Sequence, residues 1–122
     1  MTPMVRRGYL APYDSFAHRI ATLRFVQDIP LSPRHPSYAE LERIEKSLPA
    51  FRKLPACLIW GGLDWCFTPE HLARFQEVWP QAEVHLDERA GHYVFEDARE
   101  RSLRWIERFL ARNPLPAAPK LG

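Results

Sequence analysis

Apolar residues fall along this chain in short runs, and their spacing names the element each run can form. Phe16, Ile20, Leu23 and Val26 recur at steps of three and four, which predicts a helix over Asp14 to Val26 with Asp14 as its N-cap. Pro30, Pro33 and Pro36 follow, and residues 29–36 are expected to run extended because each proline drives its predecessor out of the helical region. Ser37-Tyr-Ala-Glu40 has the form of a capping box, with Leu41, Ile44 and Leu48 continuing on one helical face up to Pro49. Ala56-Cys-Leu-Ile-Trp60 is continuously apolar between Pro55 and Gly61-Gly62, as expected of a strand buried on both faces. Thr68-Pro69-Glu70 then supplies an N-cap, a proline at the first helical position and an acid in the first turn. The helix it opens carries Leu72, Phe75, Val78 and Trp79 on one side and stops at Pro80. Ala82, Val84 and Leu86 alternate with Glu83 and His85, predicting a second strand. After a loop from Asp87 to Tyr93, Leu103, Ile106, Phe109 and Leu110 mark the inward side of a last helix from about Asp97 to Arg112. Asn113-Pro114 ends it, and the tail Leu115–Gly122 is expected to fray.

From Ala56 the order is strand, helix, strand, helix: one βαβ unit with a covering helix, the repeat of a parallel α/β sheet. Two strands are too few for a stable doubly covered sheet. The pattern therefore predicts a piece of a larger sheet, or a partner that completes it through the exposed sheet edge. Residues 1–36 supply one helix and a linker, with too little apolar surface to fold alone.

Composition narrows the function classes. At 122 residues there is room for one domain, and 46% hydrophobic with 26% charged residues is globular usage. Seventeen Lys and Arg against 15 Asp and Glu leave a net charge of +2, which does not suggest a nucleic-acid partner. No apolar run approaches the roughly 18 residues of a membrane span. Met1-Thr-Pro-Met-Val-Arg-Arg7 has no apolar core after its charges, so no signal peptide is read there. Cys57 and Cys66 cannot make a disulfide framework, and a reducing, cytoplasmic setting is expected.

Sites in parallel α/β sheets form at the carboxyl ends of the strands. The first strand leads into Trp60-Gly-Gly-Leu-Asp64 and the second into Arg89-Ala-Gly-His92. Adjacent strands about 4.8 Å apart bring those loops together, so Asp64 is expected within hydrogen-bond reach of His92. A carboxylate on Nδ1–H fixes the imidazole tautomer and stabilises the imidazolium formed when Nε2 takes a proton. Trp65, Phe67 and Tyr93 lie in the same loops and are candidates to line an apolar substrate cavity, whereas Trp60 is read as core. Cys57, Cys66, His71 and His92 are too irregularly spaced for zinc; no metal and no cofactor are expected. Arg99, Arg101, Arg104, Arg108 and Arg112 alternate with acids on the last helix and read as a solvated, ion-paired face, and His18, His35 and His85 read as surface.

The stretch Pro55-Ala-Cys-Leu-Ile-Trp-Gly-Gly-Leu-Asp-Trp-Cys-Phe-Thr-Pro69 resembles the acid loop of the α/β-hydrolase fold. It is most similar to the haloalkane dehalogenase-like branch and its relatives, the β-lactone decarboxylases of long-chain olefin biosynthesis. Gly91-His-Tyr-Val-Phe-Glu-Asp97 is similar to their histidine loop, and Tyr9-Leu-Ala-Pro-Tyr13 with Ile29-Pro-Leu31 resembles the exit from their helical cap. The likeness spans roughly residues 8 to 112. It implies that Asp64 is a triad acid and His92 the base, that residues 1–36 are a cap remnant and linker, and that residues 37–122 are the C-terminal part of the hydrolase core. It also implies a small apolar or lipid-like substrate, attacked by an aspartate whose ester His92 then hydrolyses with water.

In this fold the nucleophile precedes the acid along the chain. No Gly-x-Ser-x-Gly occurs, and the five serines, Ser15, Ser32, Ser37, Ser47 and Ser102, fall in helices, caps or linkers. Asp14 and Asp28 have no strand before them. Asp64 has small residues two positions to either side, but a nucleophile elbow passes straight from strand to helix, and Thr68-Pro69 comes four residues late. The expectation is therefore a hydrolase portion with acid and histidine but without its nucleophile, inactive alone. The alternative is a non-catalytic binding or dimerising module.

Overall fold

The computed structural model describes residues 1–114, so the expected fraying of Leu115–Gly122 lies outside the described residues. The chain divides into two compact units, residues 1–49 and the part from Ala50 onward.

The first unit is helical: α1 (Pro3–Leu10), α2 (Phe16–Gln27) and α3 (Tyr38–Ser47). The periodicity did not predict α1, although Thr2-Pro3 carries the same signal as Thr68-Pro69. Thr2 Oγ1 accepts the Val5 amide at 3.3 Å and Pro3 opens the helix. Ser15, not Asp14, caps α2 by accepting the His18 amide; the Asp14 carboxylate instead takes the His18 ring, with Nδ1 at 2.5 Å. Residues 29–36 do not run extended. Leu31 donates to the Ile29 carbonyl and His35 to that of Ser32, so successive turns carry the chain; proline excludes helix but suits turn corners as well as extended backbone. The capping box does not form either. Ser37 has helical backbone angles and makes no side-chain bond to α3, while Glu40 turns forward to Arg43. No residue of these three helices is buried.

The second unit contains β1 (Cys57–Gly61), α4 (Pro69–Val78), β2 (Glu83–Asp87), α5 (Val94–Asp97) and α6 (Arg99–Arg112). β1 and β2 pair in parallel, from Cys57 opposite Glu83 to Gly61 opposite Asp87. This is the arrangement the sequence predicts from Ala56 onward: a βαβ unit with a covering helix. Each strand sits one residue later than its apolar pattern suggested, because backbone pairing continues into Gly61 and Asp87. β1 is half-buried rather than buried on both faces, and only its Gly61 is fully enclosed. Among the described residues it has one strand neighbour, and an open apolar cleft lies over it, lined by Leu58, Ile59, Phe95, Ile106 and Phe109.

The small core is Ala90, Val94 and Ala98, with Ile59 packed against it. The expected single last helix is two, broken at Ala98. That break sets the phase of α6, whose inward line is Ser102, Trp105, Ile106 and Phe109, whereas Leu103 and Leu110 are exposed. Trp105 stacks flat on His85 at a centroid distance of 4.6 Å, and His85 Nε2 lies 2.7 Å from Glu83 Oε1. His85 is thus half-buried rather than on the surface, and Leu86 is the exposed neighbour. His35 is half-buried as well, 3.5 Å from Asp28; of the three, His18 alone is a surface residue. Arg101 does not simply face solvent: its Nε lies 2.5 Å from the buried Asp87 carboxylate. Trp60 is half-buried, with its ring 5.9 Å from Phe75. Among the described residues no helix is long and apolar enough to cross a membrane.

Candidate active site

The loops after β1 and β2 are tied together by their backbones. Gly62 donates to the Asp87 carbonyl at 2.8 Å, continuing the ladder one step, and Leu63 donates to the Ala90 carbonyl at 2.9 Å. Gly61 permits this approach. A Cβ built there would stand 2.2 Å from the Gly91 carbonyl oxygen and 2.6 Å from that of Ala90, both backbone atoms that cannot swing aside.

Past Gly61 the chain turns, with the Asp64 amide donating to the Gly61 carbonyl at 3.2 Å. Asp64 Oδ1 then accepts the amides of Cys66 at 2.8 Å and Phe67 at 2.9 Å, the local bond by which an aspartate folds its own loop. Trp60 anchors the far end, its indole Nε1 donating to the Phe67 carbonyl at 2.6 Å.

The same carboxylate faces the second loop. His92 Nδ1 lies 3.0 Å from Asp64 Oδ2 and 3.1 Å from Oδ1. Asp64 is only 8% exposed and the His92 side chain 33%. Burial pushes the Asp64 carboxyl up, but the amides of Phe67 and Cys66 and the His92 ring together outweigh it and hold the group below the usual carboxylate range. An ionised carboxylate only accepts, so Nδ1 carries a proton, and the tautomer this selects for the neutral ring has its lone pair at Nε2. Among the described residues nothing else hydrogen-bonds the ring.

Around the imidazole stand the three aromatic candidates. The rings of Phe67 and Tyr93 lie 5.5 Å from it and that of Trp65 lies 6.4 Å away. All three are exposed, Trp65 at 83%, so they form an open apolar rim rather than a closed pocket. His71 also meets Phe67, edge-on at 5.6 Å. Among the described residues no three His, Cys, Asp or Glu side chains cluster to hold a metal ion.

Sequence reasoning thus named the pair and its aromatic surround, and the structure brings all five residues to one end of the sheet. It did not identify Trp60 as a loop anchor, nor Asp97, whose Oδ2 accepts the Gly91 amide at 2.9 Å. A carboxylate six residues beyond a loop glycine was the available signal, and it is a weak one.

The arrangement can orient a base and stabilise its protonated form. Helix α4 opens at Pro69 rather than directly after Asp64, and residues 1–56 contain no strand.

Comparison with known proteins matches residues 12–99 to the alpha/beta hydrolase fold family. The chain is 49% identical over 115 residues to the cis-3-alkyl-4-alkyloxetan-2-one decarboxylase of Xanthomonas campestris pv. campestris, covering 94% of this chain and 38% of that protein. It is 42% identical over 113 residues to the protein of the same name from Shewanella oneidensis, covering 93% of this chain and 36% of the other. The chain therefore spans little more than a third of the length of these curated relatives.

Proposed function

The chain belongs to the alpha/beta hydrolase fold family, and from that premise we propose that it is the acid-and-histidine portion of an enzyme that decarboxylates cis-3-alkyl-4-alkyloxetan-2-ones. The observation that carries this reading is the pairing of His92 Nδ1 with the buried Asp64 carboxylate at 3.0 Å, at the carboxyl end of a parallel sheet. His92 is the general base or acid acting through Nε2, and Asp64 fixes its tautomer. Trp65, Phe67 and Tyr93 offer apolar contact for the alkyl substituents. Of the two activities to which the resemblance points, the names of both relatives favour decarboxylation of the oxetanone over dehalogenation.

In this reading the chain corresponds to the C-terminal part of its relatives. Residues 1–36 are the end of the helical cap, residues 37–122 belong to the core, and the nucleophile, an aspartate by resemblance, sits on a strand–helix elbow in the portion that precedes them. The test joins this chain to that portion at the length of its relatives and measures carbon dioxide release from a cis-3-alkyl-4-alkyloxetan-2-one. Release by the extended protein and none by the 122-residue chain is the expected result. No release by either overturns the assignment of substrate.

The unshared edge of β1 favours a second reading, in which copies of the chain associate through it. Sedimentation of the 122-residue chain should then show a dimer or larger species. A well-folded monomer at tens of micromolar sinks this second reading and leaves the first untouched.

A further inference from the structure

We infer that the Asp97 carboxylate is a positioning residue for His92, acting through the backbone amide of Gly91. The inference rests on the reading of His92 as the base, and it concerns what holds that ring in place.

Asp64 touches the imidazole, but a hydrogen bond to one ring nitrogen leaves the loop behind the ring free to shift. The peptide before His92 is where that freedom has to be removed. Gly91 lies between Ala90, which is fully buried and accepts the Leu63 amide, and His92 itself. Its carbonyl lies against β1 so closely that Gly61 has no room for a Cβ. Its N–H points the other way, to Asp97 Oδ2 at 2.9 Å. The Gly91 residue is thus held from two sides, by β1 at its oxygen and by a carboxylate at its nitrogen.

Asp97 is suited to that task because its own backbone is fixed. Its amide donates to the Tyr93 carbonyl at 3.0 Å, and the next residue, Ala98, is buried in the core at the break between α5 and α6. A rigid chain of contacts therefore runs from the core through Ala98 and Asp97 to the Gly91 amide and on to His92. The acceptor is charged, and a charge-assisted bond to a backbone N–H is stronger than a neutral one. Losing it leaves an amide for water to satisfy, and the histidine loop gains freedom.

The experiment is proton NMR of the 122-residue chain, reading the downfield Nδ1–H resonance expected of a His92 ring bonded to Asp64. Asp97→Ala should abolish that resonance by letting Nδ1–H exchange with water. Asp97→Asn, whose side-chain oxygen can still accept the Gly91 amide, should retain it. Persistence of the resonance in Asp97→Ala overturns the inference and leaves the Asp64–His92 pair standing. Absence of the resonance from an unsubstituted chain whose amide dispersion shows it folded overturns the pair itself, a distinguishable failure. If Asp97→Ala does not fold, the unsubstituted chain still decides: the Gly91 amide should exchange at least about tenfold more slowly than unbonded loop amides, and exchange at their rate overturns the inference.

Discussion

His92→Ala in the extended protein should lower oxetanone decarboxylation by about 10²–10⁴-fold, the range in which removal of a positioned general acid or base falls. The substitution deletes the lone pair at Nε2, and no neighbour can take over. The rings that stand around the imidazole, Phe67, Tyr93 and Trp65, include no second imidazole or carboxylate to replace it. The fold should tolerate the change, because the His92 side chain is a third exposed and the loop is held by backbone bonds at Leu63, Ala90 and Gly91 rather than by the imidazole. Steady-state kinetics with a thermal melt separates the two effects. A drop of less than about tenfold at unchanged melting temperature would remove His92 from the chemistry.

Asp64→Asn should cost about as much activity, on the order of 10⁴-fold, for a different reason. An asparagine oxygen can still accept the Cys66 and Phe67 amides, so the loop survives. Its NH₂ facing the ring then requires Nδ1 to be the acceptor, which puts the proton on Nε2 where the lone pair is needed. Asp64→Ala should lose the loop as well and melt lower than Asp64→Asn. The acid limb gives an independent check. The native Asp64 carboxyl lies below the usual carboxylate range, so its ionisation stabilises the folded chain fully above the unfolded value of about 3.9 and less as pH falls through the lower folded value. The stability difference between the parent and Asp64→Asn should therefore shrink as pH falls below about 4. Asp87, held low chiefly by the Arg101 guanidinium, has the same sign; being present in both proteins, it cancels. A difference that grows below pH 4 would mean that Asp64 does not carry its charge in the folded state.

What the sequence alone determined is the part of the molecule governed by short-range rules. The apolar run at Ala56 to Trp60, the Thr68-Pro69 start of α4 and the alternation into β2 predict a parallel βαβ unit, and the unit forms. The meeting of Asp64 and His92 was legible for the same reason, since two loops leaving adjacent parallel strands are neighbours whatever else the chain does.

Where several local solutions have similar energy, only the tertiary structure chose among them. Ser15 and Asp14 are both good caps, and one hydrogen bond to the His18 amide selects Ser15. The residues facing inward on α6 depend on where the helix begins, and burial of Ala98 at the break sets that phase, turning Leu103 and Leu110 outward and Trp105 onto His85. The Gly91–Asp97 bond, the need for a bare Cα at Gly61 and the Trp60 anchor on Phe67 all join atoms that no periodicity relates. Spacing along a chain encodes which face a residue occupies. Which backbone atom meets which side chain is decided only when two loops are pressed together, because there a few tenths of an ångström separate a hydrogen bond from a clash.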